Sequence, residues 1–184
     1  MSGGTGLAKP SPVVRIQSLL VPRHRVEVTV DVEGETVPIA ETPETRPLDE
    51  PPVSDAVVPF DAGTDTALVV PLIALAIARS GDKGDSSNIA VIAREARFFP
   101  LLDHVLTADA VGEWMSHVTA GPVVRYRLPR LDALNFVLPE ALGGGGVASL
   151  RFDPQGKAFA AQLLDMPITI PRAWLDDIPE KLRA

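Results

Sequence analysis

A polar stretch enclosed by two apolar runs constrains this chain more than any other feature. It reads Ala-Arg-Ser-Gly-Asp-Lys-Gly-Asp-Ser-Ser-Asn over residues 78–88, between apolar residues 72–78 and 89–93. Both runs are typical of buried strands, and polar groups beside a core must find hydrogen-bonding partners. The two glycines permit positive φ or a close approach of another molecule to the backbone. We therefore expect a polar loop whose side chains bind or pair with something.

Charge and composition exclude several classes of function. The formal charge is −7 over 184 residues, which argues against a nucleic acid partner because phosphate binding needs a basic surface. The chain has no cysteine, so disulfides, zinc–thiolate sites and thiol nucleophiles are excluded. Residues 1–10 lack the apolar core of a secretory signal, and no apolar run reaches the roughly 18 residues of a membrane span. The expectation is a cytoplasmic protein with no membrane partner.

The sequence divides into four parts. Residues 1–37 are β-rich, with runs at 13–20 and 26–32 and a turn at Glu33-Gly34. Residues 38–66 are rich in proline and acids, which is typical of a linker. Residues 67–171 carry the periodic apolar patterns of a folded domain, and residues 172–184 form a C-terminal tail.

Apolar spacing within residues 67–171 predicts interleaved strands and helices. We predict strands at 68–78, 89–94 and 123–128, and helices at 98–105, 107–118 and 131–142. Thr107 is the expected N-cap of the second helix. A closing hairpin is predicted from 147–152 and 158–170, although 158–163 also fits a helix. The predicted fold class is α+β, a mixed, mainly antiparallel sheet covered on one face by two or three helices.

Three interpretations of the polar loop remain open. Asp82, Asp85 and Asn88 supply oxygen ligands of the type Mg²⁺ or Ca²⁺ prefers, without the spacing of an EF-hand. Arg79, Lys83 and the glycine amides suit an anion such as a CoA phosphate. The loop's charges also suffice to neutralise one another. No residue is assigned as a metal ligand or given a catalytic role. The candidate ligand-binding residues are Arg79, Ser80, Asp82, Lys83, Gly84, Asp85, Asn88, Asn135, Gly144 and Gly145.

Two further features bear on this site. The run Gly143–Gly146 exceeds what a helix cap requires, so it is either a flexible connection or a place where another group approaches the backbone closely. Asn135 lies among apolar neighbours on a predicted helix and, if buried, must be hydrogen-bonded to the glycine turn or to a ligand. The histidines lie on separate predicted elements, and no Gly-x-Ser-x-Gly elbow supports a hydrolase triad.

Several motifs together resemble one family. They are Ala-Arg-Ser-Gly-Asp-Lys-Gly-Asp-x-x-Asn with the following Ile-Ala-Val-Ile-Ala-Arg, then Arg-Tyr-Arg-Leu-Pro at 125–129, Ala-Leu-Asn-Phe-Val-Leu at 133–138, Ala-Leu-Gly-Gly-Gly-Gly at 141–146 and Ser-Leu-Arg-x-Asp-x-x-Gly-Lys at 149–157. This set is similar to the C-terminal domain of the acyclic terpene utilisation A (AtuA) family, over about residues 70–170. Residues 9–32 resemble the tail of that family's large N-terminal domain. The large domain itself is missing from this sequence.

The resemblance implies a ferredoxin-like domain and a place in the catabolism of acyclic terpenoids or branched acyl-CoA esters and organic acids. The expected role is a C-terminal domain or small subunit that assists an AtuA-type large domain or subunit, in a homo-oligomer. Residues 79–88 are expected to bind an anionic ligand, such as a CoA ester, or a partner. Two alternatives remain: a self-sufficient lyase or hydratase using Asp82 or Asp85, and a purely structural oligomerisation domain. No cofactor is assigned.

Overall fold

The computed structural model describes residues 19–39, 60, 68–128 and 131–183. The described residues fall into two compact units, one containing residues 19–39 and the other residues 60, 68–128 and 131–183. Most of the expected linker, residues 38–66, and residues 13–18 of the first expected β-rich run lie outside the described residues. Leu19 and Leu20, which end that run, are exposed and not in a strand.

The smaller unit contains a β-hairpin. Strand β1 (Thr29–Val32) pairs antiparallel with β2 (Glu35–Pro38), after a short 3-10 helix at Arg23–Arg25. The two turn residues both have positive φ, 51° at Glu33 and 89° at Gly34, which is the signature of a type I′ turn. The turn expected at Glu33-Gly34 is therefore confirmed. We call residues 26–39 the N-terminal hairpin.

The larger unit is built on antiparallel strands. They are β3 (Leu68–Pro71), β4 (Ala76–Lys83), β5 (Ser86–Ala93), β6 (Val124–Leu128), β7 (Ala133–Leu138) and β8 (Pro167–Ile170). Four of them form one sheet in the order β4-β5-β7-β6, while β3 pairs with β8 in a separate two-stranded sheet. Pro167 thus stands on an edge strand, where its missing N–H costs no ladder hydrogen bond.

The stretch expected to be a polar loop is a hairpin. Its strands continue through the polar residues, and only Gly84 and Asp85 form the turn between β4 and β5. Gly84 has a φ of +67° while Asp85 does not have positive φ, which matches a type II′ turn with glycine at the first central position. The loop prediction is wrong because ladder pairing to β5, with Gly81 opposite Asn88, outweighs the low strand propensity of these residues.

Three short helices complete the larger unit. They are α1 (Phe99–Val105), α2 (Ala108–Trp114) and α3 (Phe159–Leu164). Pro100 sits in the first turn of α1, and the Thr107 hydroxyl accepts a 3.1 Å hydrogen bond from the Ala110 N–H, so the expected cap of α2 is confirmed. The helix at α3 corresponds to the helical alternative for residues 158–163.

Two predicted elements are wrong. Residues 131–142 were expected to be a helix, but residues 133–138 form strand β7. Leu134, Phe136 and Leu138 alternate with half-buried neighbours, so a period of two serves the core better than the helical spacing of the same leucines. Residues 147–152 do not pair with 158–170: a 3-10 helix spans Gly146–Ala148, and β8 pairs with β3 instead.

The core lies on one side of the four-stranded sheet. Ile89, Val91 and Phe136 from the sheet and Leu102 and Leu163 from the helices are all at most 1% exposed. The C-terminal segment joins this core, because the Trp174 ring packs 5.1 Å from Phe98 and Ile178 is 1% exposed. The sheet is therefore covered by helices on one face, and the α+β, ferredoxin-like prediction is confirmed.

Candidate functional site

The β4–β5 turn and the glycine loop at Gly143–Gly146 contact one another. The Asp85 carboxylate accepts a 2.7 Å hydrogen bond from the Gly144 N–H, and the Asp85 carbonyl accepts one of 3.0 Å from the Leu142 N–H. A Cβ atom on Gly145 would lie 2.2 Å from the Gly84 carbonyl oxygen, so no side chain fits at that position. The two glycine-containing segments that the sequence singled out are thus brought together, and we call this contact the glycine junction.

The glycine loop has a backbone that other residues rarely adopt. Residues 143–146 all have positive φ, at 63°, 98°, 72° and 47°. The Gly144 N–H of this loop donates to the Asp85 carboxylate, so this amide is already bonded to an anionic group of the chain itself.

Ser80 has a structural set of hydrogen bonds. It is 8% exposed, and its hydroxyl proton is directed at the Gly156 carbonyl oxygen at 2.6 Å, with the Lys157 carbonyl at 3.2 Å. The same oxygen accepts a 2.9 Å bond from the Ala160 N–H in the first turn of α3. Ser80 therefore joins β4 to the start of α3, with its hydroxyl acting as both a donor and an acceptor.

The turn before α3 contacts the same end of the sheet. The Asp153 carboxylate accepts hydrogen bonds from the Lys157 N–H (3.0 Å) and the Ala158 N–H (2.8 Å). Gly156 has a φ of +59°, and a Cβ on it would lie 2.6 Å from the Ser87 hydroxyl. Prediction from the sequence missed Ser87, which is fully buried and donates to the Gly81 carbonyl at 3.0 Å.

Charged residues around the hairpin find partners at its surface. Lys157 Nζ lies 3.6 Å from the Asp82 carboxylate, and the two side chains are 60% and 41% exposed. Lys83 Nζ donates a 3.0 Å hydrogen bond to the Asp82 carbonyl. An exposed ion pair of this kind contributes about 0–1 kcal/mol to the free energy of unfolding. The pair between Lys157 and Asp82 therefore orders the surface locally and adds little stability. Lys157 was not among the candidate ligand-binding residues, although the motif at 149–157 that contains it was identified in the sequence.

Strand alternation splits the predicted ligand set between the two faces of the sheet. Ser80 and Asp82 project on the helix-covered side with the core residues of β4. Arg79 and Lys83 project on the opposite side, as do Asn88 and Asn135, whose side chains are joined by a 3.1 Å hydrogen bond. Asn135 is therefore hydrogen-bonded as expected of a half-buried amide, but to Asn88 rather than to the glycine turn. Ligand binding by this set stays a prediction.

Comparison with protein families decides the relationship. A family model described as the AtuA ferredoxin-like domain matches residues 70–169, more than half of the chain. The chain belongs to this family. We call residues 70–169 the AtuA domain. No curated protein and no solved structure matches this chain. None of the helices in the described ranges is both long enough and apolar enough to cross a bilayer.

A buried charge cluster in the AtuA domain was not predicted. Asp103 on α1 is fully buried, and both Arg125 and Arg127 of β6 contact its Oδ1, Arg127 Nε at 3.1 Å. Arg125 also donates to the Asp103 carbonyl at 2.9 Å, and the Arg127 guanidinium lies 5.6 Å from the centroid of the Phe99 ring. The alternation Arg-Tyr-Arg in a predicted strand was the available signal, since it places both arginines on one face. The cluster ties α1 to the edge strand β6.

The histidines do not assemble a catalytic group within the described residues. His24 and His104 are exposed and lie on separate elements. His117 Nε2 lies 2.6 Å from the Gln162 side-chain oxygen, beside Trp114, whose indole N–H donates to the Gln162 carbonyl at 2.8 Å. In the parts of the chain that the structure describes, no three His, Cys, Asp or Glu side chains cluster as metal ligands.

The face of the four-stranded sheet opposite the helices carries exposed apolar side chains beside the polar residues Arg79, Lys83, Asn88 and Asn135. Ile77 lies opposite Ile92 on neighbouring strands, and they are 48% and 41% exposed. Tyr126 and Val124 on β6 project from the same face and are 46% and 43% exposed. We call this surface the open face. An exposed apolar patch on a domain whose other face is fully packed indicates an interaction surface.

Proposed function

We propose that this chain is the C-terminal domain or small subunit of an AtuA-type protein and that it acts by binding an AtuA-type large domain. The observation that carries the proposal is the open face, with four large side chains at 41–48% exposure on an AtuA domain. Interfaces between domains are enriched in aromatic and large apolar side chains at their centre. Tyr126, on the outer strand of the sheet, is the expected anchor of the contact.

The internal bonding of the polar hairpin supports an assembly role over chemistry of its own. The Asp85 carboxylate accepts a hydrogen bond from the Gly144 N–H. The Ser80 hydroxyl donates to the Gly156 carbonyl and accepts from the Ala160 N–H of α3. A general base needs an accessible position in a cleft beside its substrate. The Asp82 side chain is 41% exposed and lies 3.6 Å from Lys157 at the surface of the hairpin.

We propose that the expected anionic ligand binds to the open face as well. Arg79 and Lys83 both project from the open face, on the row of side chains that also holds Ile77. Their positive charge suits an acidic group of the large domain or the phosphates of a branched acyl-CoA ester on which that domain acts. In this proposal the chain assists catabolism of acyclic terpenoid or branched acyl-CoA substrates by completing the large domain's binding surface, and it supplies no catalytic group.

Co-purification from the native host tests the docking. The tagged chain should retain a protein that carries an AtuA-type large domain, identified by mass spectrometry. Tyr126→Asp places a charge on the open face and should lower recovery of that protein at least about tenfold. Phe152→Asp is the matched control, because Phe152 is fully exposed and does not belong to the sheet. Recovery of no such protein, or equal loss in both variants, would count against the proposal.

Thermal unfolding tests the ligand separately. A ligand that binds the native state and not the unfolded chain raises the melting temperature, by an amount that grows with the logarithm of the ligand concentration above Kd. A branched acyl-CoA ester at saturating concentration should raise the melting temperature of the wild-type chain, and the Arg79→Ala/Lys83→Ala variant should lose that rise. If the ester leaves the wild-type chain unchanged, the ligand part of the proposal fails while docking to the large domain is judged by co-purification alone.

A further inference from the structure

The N-terminal hairpin is amphipathic, and its apolar side chains share one face. Val30 lies directly opposite Val37, and the Ile39 N–H donates a 2.8 Å hydrogen bond to the Val28 carbonyl. Residues that lie opposite one another on paired strands project from the same face, so these four side chains and Val32 form one continuous row. All five are exposed, from 37% at Val28 to 55% at Val32. We call this row the valine stripe.

The opposite face of the hairpin is polar and suited to water. Asp31 lies opposite Thr36, whose hydroxyl donates a 2.5 Å hydrogen bond to the Asp31 carboxylate. Glu27 and Thr29 project on the same side by strand alternation. A two-stranded hairpin with an exposed apolar face is marginal in water on its own. The valine stripe therefore requires a surface that covers it.

Charge is distributed unequally along the hairpin. At its base, Arg23, His24 and Arg25 line a surface depression together with the single acid Glu27 and with Ile39, so basic side chains outnumber acidic ones there. At its tip, Glu35 lies directly opposite Val32 and therefore projects from the same face as the valine stripe. Glu33, in the turn, adds a second acid there. One apolar face thus begins at a basic end and finishes at an acidic end.

We propose that the valine stripe is a homodimer interface, covered by the valine stripe of a second copy of this chain in antiparallel orientation. A two-fold axis near Val30 and Val37 sets one copy's acidic tip, with Glu35, against the other copy's basic base. Stacking in the same direction would place the two basic ends together and the two acidic ends together, which like-charge repulsion disfavours. The inference rests on the hairpin alone and is independent of the docking proposed for the open face.

Sedimentation equilibrium of the purified full chain tests the interface through a charge exchange. Wild-type chain should show a concentration-dependent monomer–dimer equilibrium. Glu33→Arg/Glu35→Arg should weaken dimerisation roughly tenfold, and His24→Glu/Arg25→Glu should do the same, because each makes both contacting ends alike in charge. The variant that combines all four changes should recover dimerisation to within about threefold of wild type, because the attraction is restored with its sign exchanged.

A substitution within the valine stripe supplies a second measurement. Val30→Asp should abolish the dimer, whereas Thr29→Asp, on the polar face one residue away, should leave it intact. A wild-type chain that stays monomeric at every concentration overturns the inference. Equal dimerisation by Val30→Asp also overturns it. Failure of the four-change variant to recover overturns the antiparallel arrangement, and circular dichroism of the charge variants, all altered at exposed positions, verifies that each is folded.

Discussion

Replacing Gly145 by alanine tests the glycine junction, which holds the β4–β5 hairpin against the loop after β7. Gly145 has a φ of +72° and a ψ of 156°, a region essentially restricted to glycine, where a Cβ atom costs at least about 1–2 kcal/mol. The new atom would also lie 2.2 Å from the Gly84 carbonyl oxygen and 2.9 Å from the Asp85 nitrogen, and neither can rotate away because both belong to the backbone. Displacing a packed turn in this way costs a further ~1–3 kcal/mol.

The control is Gly146→Ala, which measures the strain of a positive φ in the same loop without a close contact. Gly146 also has positive φ, at +47°, but nothing lies within 4 Å of its added Cβ. It should therefore show only the ~1–2 kcal/mol conformational cost. A domain of this size loses about 4 °C of melting temperature per kcal/mol. We expect a fall of roughly 8–20 °C for Gly145→Ala and roughly 4–8 °C for Gly146→Ala.

Differential scanning calorimetry of the two purified variants measures the difference directly. Hydrogen exchange at the Gly144 N–H adds a local readout, since loss of its bond to Asp85 in Gly145→Ala should speed that exchange. Equal melting temperatures for the two variants would refute the reasoning, because the close approach of the two segments would then contribute nothing.

Two further substitutions test other parts of the fold. Ser80→Ala should lower the free energy of unfolding by about 1–3 kcal/mol, as measured by urea titration. The substitution leaves the Ala160 N–H and the Gly156 carbonyl without their buried partner. The control Ser86→Ala, at the start of β5, should change the free energy of unfolding little. A fall as large in the control would contradict the assignment. Asp103→Asn should lower the free energy of unfolding by about 3 kcal/mol, because it removes the carboxylate that two largely buried guanidinium groups share. A decrease of less than ~1 kcal/mol in the same titration would show that the cluster does not tie α1 to β6.

Local sequence patterns predicted those elements whose apolar period matched their final surroundings. α1 and α2 were located because buried Leu101, Leu102 and Val111 follow helical spacing and Thr107 supplies a cap. These elements bury one face against the core, so periodicity alone carries the information.

The errors arose where a residue's partner is distant in sequence. Residues 131–142 contain leucines that satisfy a helical spacing and a strand alternation equally, and only pairing of β7 with both β5 and β6 decides between them. The apolar residues of the expected hairpin at 147–152 are exposed: Leu150 and Phe152 are fully so, and apolar composition alone did not show this. Gly81, Asp82 and Lys83 are in a strand because they pair with residues of β5. Local strand propensity does not include such cross-strand pairing.

The candidate site was predicted in its parts and not in its arrangement. Both glycine segments were identified, and they do meet, but the contact that joins them is the Asp85 carboxylate on the Gly144 N–H. Arg79 and Ser80 are adjacent in sequence and project from opposite faces of the sheet, so one ligand surface does not include both. Ser87 and Lys157 contribute because the turn at Gly156 lies against β4 and β5, a long-range contact that local sequence patterns do not encode.

Binding of a purified AtuA-type large domain to this chain, measured by isothermal titration calorimetry, tests the central proposal most directly. The account predicts saturable binding with one chain per large domain, a negative heat-capacity change from burial of the open face, loss of binding for Tyr126→Asp and unchanged affinity for Phe152→Asp. Absence of binding by the wild-type chain, or equal affinity of wild type and Tyr126→Asp, would contradict the assignment of the open face as the docking surface.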